Sequence, residues 1–119
     1  MTLETLGLVA VLGALGAVAR LILREVLVLR VVPMAGVLVA NLVGSALAGA
    51  MVALPVTTLS FVVIAGFCGA FTTFSTVAYN LIPAGGERRL IRLIGIAALH
   101  GGGSVVAAWI AFVAVTIFG

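Results

Sequence analysis

Four apolar runs, each long enough to cross a bilayer and separated by only a few residues, set the architecture of this chain before any motif is considered. They extend from about Leu6 to Val28, Met34 to Leu54, Leu59 to Ile82 and Leu90 to Phe118. Pro33, the turn Pro55-Val56-Thr57-Thr58 and the turn Pro83-Ala84-Gly85-Gly86-Glu87 separate them. Such short connections make neighbouring helices antiparallel. The chain has 119 residues, 65% hydrophobic and 8% charged, a balance that excludes a soluble domain. The reading is an all-α integral membrane protein, with one four-helix transmembrane domain over residues 1–119. The first run has no basic region before it and no small-x-small cleavage site, so it reads as a retained helix rather than a signal peptide.

The third run is the least ordinary. Its middle reads Gly66-Phe67-Cys68-Gly69-Ala70-Phe71-Thr72-Thr73-Phe74-Ser75-Thr76. An anchor would carry Leu and Val here. Two glycines loosen the backbone, and Thr72, Thr73, Ser75 and Thr76 bring donors and acceptors to membrane depth. A helix break there is tolerated only within protein or beside a wet cavity. Broken helices of this kind hold ions, because freed carbonyls coordinate cations and helix N-termini face anions. Thr72 and Thr73 have a plainer option, bonding back to carbonyls of their own helix.

Charge adds orientation. There are six Arg, no Lys, three Glu and no Asp, for a formal net charge of +3. That is too small and too clustered for a nucleic-acid partner, and it fits a membrane surface. Arg24 and Arg30 flank the first connection, and Arg88, Arg89 and Arg92 lie at the third, on the same side of the membrane. Arg20 snorkels toward that side from near the end of the first run. The opposite side holds Glu4 and no basic residue. The positive-inside rule then puts the basic loops in the cytoplasm and both termini outside it, with the four arginines Arg20, Arg88, Arg89 and Arg92 as structural and topology determinants.

Small residues recur at helical spacing: Gly36, Ala40, Gly44 and Ala48, with Asn41, Ser45 and Gly49 beside them; Gly13, Gly16 and Ala17; and Ala97, Gly101, Ser104, Ala108 and Ala111. In lipid such stripes let helices approach closely. Most serve packing within the bundle, yet four short helices enclose too little volume for a pore, so a dimer is expected. Cys68, the single cysteine, reads as a small packing residue, and Trp109, inside the fourth run, as packing as well. His100 reads as a polar helix contact. With no Asp, one His and one Cys, no nucleophile–base constellation exists and the chain is not an enzyme.

Three stretches together resemble the small bacterial fluoride channels of the Fluc (CrcB) family. They are Gly13-Ala14-Leu15-Gly16-Ala17-Val18-Ala19-Arg20, then Gly36-Val37-Leu38-Val39-Ala40-Asn41-Leu42-Val43-Gly44-Ser45, and the Gly66 to Thr76 segment. The resemblance covers nearly the whole chain. It implies an antiparallel, dual-topology dimer in the bacterial inner membrane, with lipid around it and two narrow fluoride pathways. It also implies a structural sodium ion at the dimer centre, held by backbone carbonyls of Gly69 and Thr72. Asn41 would point its amide into the pore, Phe74 would be one of a pair of pore phenylalanines, and Ser75, Thr76 and Ser104 would supply hydroxyls along the path.

The residue chemistry agrees with an anion route. A selective pore must replace fluoride's hydration with close donors, and amides and hydroxyls supply these without fixed charge. The positive rim of the Phe74 ring can face an anion. No acidic side chain interrupts the second, third or fourth run, which argues against a cation path or proton relay. Two rival classes stay open: a non-conducting assembly subunit, which needs the small-residue stripes but no broken third helix, and a proton-coupled multidrug transporter, which needs an intramembrane carboxylate.

Two positions depart from the family pattern: Val77 stands where the second pore phenylalanine is expected, and His100 where many members carry Tyr. With the one-sided arginines, these departures suggest one half of a heterodimeric pair rather than a homodimer, with an oppositely biased homologue as partner. A pathway lined by Val77 would be impaired or differently built.

Overall fold

The computed structural model describes residues 1–27, 33–81 and 89–119. Helix α1 spans Leu3–Ile22. The Thr2 side chain caps it by accepting from the Thr5 N–H at 3.2 Å, and Glu4 sits in the first turn, where the helix dipole favours an anion. Its last turn carries Arg20 and runs into a wider, π-type turn over Leu23–Leu27. Helix α2 spans Pro33–Ala53, with the proline at the first helical position, where no N–H is required.

The third crossing is made in pieces. Thr57 and Ser60 form a reciprocal capping box: the Ser60 N–H donates to Thr57 Oγ1 at 3.1 Å, and the Thr57 N–H to Ser60 Oγ at 2.9 Å. Helix α3 starts there as Thr58–Val62, widens into π geometry over Val63–Cys68 and closes with one turn, Gly69–Phe71. After the interruption, α4 spans Ser75–Leu81, and α5 spans Arg89–Phe118.

Among the described residues, four helical stretches are long and apolar enough to span a membrane: Leu3–Glu25, Met34–Ala53, Thr58–Ala78 and Leu90–Phe118. The expected spans lie within a few residues of these. The turn at Pro83 to Glu87, and with it Arg88, lies outside the described residues, as does Arg30.

Close backbone approach holds the bundle. A Cβ at Gly16 would collide with the Phe67 carbonyl, and one at Gly66 would come within 2.8 Å of the Val9 carbonyl, so α1 lies directly on the π segment of α3. A Cβ at Gly49 would collide with the Ala108 backbone, so α2 and α5 meet with nothing between them. Not every small residue works this way. Gly95, Gly101 and Gly102 on α5 have open space where a side chain would stand. Trp109 is 66% exposed and stacks on Phe112 at 5.8 Å, so it is not the packing residue the sequence suggests. The outer surface is apolar, with Leu8, Leu15, Val43, Val105 and Ile110 all exposed, as a lipid-facing surface requires.

Candidate functional site: the interrupted third helix

Helical geometry ends at Phe71, and Thr72 is extended at φ −81°, ψ 152°. In an unbroken helix the Thr73 N–H would bond to the Gly69 carbonyl. Here it donates to Asn41 Oδ1 at 2.7 Å, while Asn41 Nδ2 donates back to the Thr73 carbonyl at 2.9 Å. One buried side chain on α2 thus satisfies both polar groups of one peptide residue at the break. The second Nδ2 hydrogen meets His100 Nδ1 on α5 at 3.1 Å. Asn41, which the resemblance aims into a pore, has both amide hydrogens engaged within its own chain.

The hydroxyls divide between two tasks. Thr72 Oγ1 donates to the Cys68 carbonyl at 2.9 Å, which also receives the Thr72 N–H at 3.0 Å, so Thr72 finishes the preceding helix. Thr73 does not bond back. Its Oγ1 lies 3.1 Å from Ser75 Oγ and 3.4 Å from Thr76 Oγ1, and the Thr76 N–H approaches it at 3.5 Å, so Thr73 opens α4. Among the described residues, the backbone hydrogen bonds outside the helices reach neither the Gly69 nor the Thr72 carbonyl. Carbonyl oxygens are among the ligand types that hard cations take. No group of His, Cys, Asp or Glu suited to a metal occurs among the described residues.

A cavity of about 250 Å³ opens beside the break. Arg20 and Arg24 of the first crossing, Gly36 and Val37 of α2, and Thr73 and Thr76 all line it. Arg20 therefore does more than mark topology: it shares a cavity with the hydroxyls of the interruption. Among the described residues the cavity lining has two arginines and no carboxylate, and the field of these groups favours an anion. Arg24 was legible as a partner of Arg20, since residues four apart share a helix face. The link of either arginine to Thr73 was not.

The remaining expected site residues scatter. Phe74 is 63% exposed on the outer side of the break, and Ser75 beside it is exposed. Ser104 is half-buried on α5. Arg92 is exposed near the start of α5, and Arg89 is described in backbone only. Val77, expected along a pathway, is instead 0% exposed, packed with Val37 and bordered by Met34, Leu93 and Ile96. It is a core residue of the seam between α2, α4 and α5, where a small β-branched side chain fills space.

A bundle of apolar helices arranged around an interrupted one defines a small polytopic helical membrane protein. Its relationships are narrower than that. The family described as "CrcB-like protein, Camphor Resistance (CrcB)" matches residues 7–114, and the chain belongs to this family. It is 35% identical over 77 residues to the "Fluoride-specific ion channel FluC" of Pseudomonas putida (strain W619). That match takes in 60% of this chain and spans 61% of the relative's length. No solved structure matches the chain significantly.

Proposed function

We propose that the chain is a subunit of a passive, fluoride-selective channel that releases cytoplasmic fluoride across the bacterial inner membrane. The observation that carries this reading is the arginine-lined cavity ending on the hydroxyls of a broken spanning helix. The arginines raise the local anion concentration at the mouth, and neutral donors beyond them take over from water without trapping the ion. Ser75, Thr76 and Ser104 are the proposed hydroxyls of the path, and the exposed Phe74 offers its ring edge. An inside-negative potential drives an anion outward by roughly 2.3 kcal/mol per 100 mV, so no coupled ion is needed.

A second subunit completes the site. Phe74, Ser75 and Gly69 lie exposed at membrane depth in the single chain, where lipid cannot satisfy polar groups. An antiparallel partner laying its own break across this one would cover them. The carbonyls of Gly69 and Thr72 from both subunits would then hold a sodium ion, whose charge ties the two interrupted helices together. The one-sided arginines favour a partner of opposite loop bias, hence a heterodimeric pair. Val77 no longer supports that pairing, because it lies in the core.

Liposome efflux read by a fluoride electrode tests the function. Fluoride release without chloride release is expected, falling several-fold in Arg20→Gln as the anion-attracting field weakens. Equal release of both halides, or none with any homologous partner, overturns the reading. Full activity from the chain reconstituted alone rules out the heterodimer while leaving the channel intact.

A further inference from the structure

We infer that His100 is a positioning residue of the interrupted helix: as the neutral Nε2–H tautomer it fixes the Asn41 amide, and through it the backbone of Thr73. The inference rests on the channel reading only for its effect on flux. The geometry leaves no freedom in the assignment. Asn41 accepts the Thr73 N–H and donates to the Thr73 carbonyl, so the identity of its oxygen and nitrogen is set by a backbone that cannot be flipped. The group facing His100 is therefore an N–H donor. His100 Nδ1, 3.1 Å away, must offer a lone pair, and the ring proton sits on Nε2. A proton on Nδ1 would set two donors face to face.

The arrangement spans the molecule. α5 supplies the acceptor, α2 the amide and the third crossing the broken backbone, joined in series over sequence separations of 59 and 32 residues. His100 is 3% exposed, so water does not compete for this bond. Among the described residues no fully buried side-chain nitrogen or oxygen lacks a partner, and both Asn41 amide hydrogens are engaged. Removing the acceptor leaves one buried N–H unmade and lets the amide rotate away from Thr73.

The chain has a single histidine, which makes the test direct. In the full-length protein in lipid bilayers, ¹⁵N-labelled histidine should show one protonated nitrogen, Nε2, and an unprotonated, hydrogen-bonded Nδ1. Asn41→Ala should shift the Nδ1 resonance toward a free lone pair. His100→Leu, which keeps bulk and loses the acceptor, should move the Thr73 amide resonance and lower fluoride flux roughly ten-fold. His100→Asn, whose carbonyl oxygen can reach the place of Nδ1, should restore both to within about two-fold. A proton on Nδ1, or a Thr73 amide unmoved in His100→Leu, overturns the inference. The spectra need no fluoride, so a wild-type chain without flux would refute the channel and leave the His100 result standing.

Discussion

The α2–α5 seam and the third crossing traverse the same membrane by different means. Along the seam both helices are regular, and contact is made by absence: Gly49 lies bare against the Ala108 backbone, and Gly103 sits beneath Leu42. Dispersion between close backbones holds these contacts, and the bond that crosses the seam, Asn41 to His100, serves the third crossing. The third crossing widens, stops and restarts, and each polar group freed by the stop needs its own answer. Asn41 answers for Thr73, and Thr72 closes on Cys68. The carbonyls of Gly69 and Thr72 are the ones proposed to meet an ion. Regular helices in lipid can be joined by shape alone, whereas an interrupted one must be joined by hydrogen bonds, and whatever those bonds omit becomes available for function.

Four substitutions would break or sharpen this contrast, from the largest expected effect downward. Gly49→Leu drives a side chain into the Ala108 backbone and should cost more than about 3 kcal/mol, seen as loss of the folded species in detergent melts followed by circular dichroism. Asn41→Ala unmakes both bonds to Thr73, at about 1–3 kcal/mol for each buried group left unpaired, with faster hydrogen exchange confined to residues near the break. If Asn41→Ala melts the whole bundle as Gly49→Leu does, the two regions are not separable. Thr72→Val removes one bond to a carbonyl that keeps another, so a loss of about 0.5–1.5 kcal/mol is expected in the same melts. Gly101→Ala enters open space and should alter the stability of the single chain by less than about 0.5 kcal/mol. A large effect of Gly101→Ala on dimer yield would place a subunit contact on that face of α5.

Much of the fold was legible because its signals are local. Hydropathy and prolines located the four crossings to within a few residues. Gly66, Gly69 and the hydroxyl run marked the interruption. Site residues were read less evenly. Asn41 was singled out as a lone polar side chain in an apolar helix, but its target could not be. Val77 was judged by its alignment with an expected aromatic, and only the rotation of α4 shows that it faces the core. His100 looked like an isolated polar contact because its partner is 59 positions away. Arg20 and Arg24 marked a membrane side in the sequence and the wall of a cavity in the fold.

By itself the sequence determined how many times the chain crosses the membrane, which side its charge favours and where the third crossing must fail, since each depends on neighbours along one helix. Tertiary structure alone decided which group closes that failure, and which hydroxyls finish one helix and start the next. Those outcomes depend on distances of about 3 Å between separate helices, and hydrogen bonds weaken too steeply with distance and angle for periodicity to foretell them.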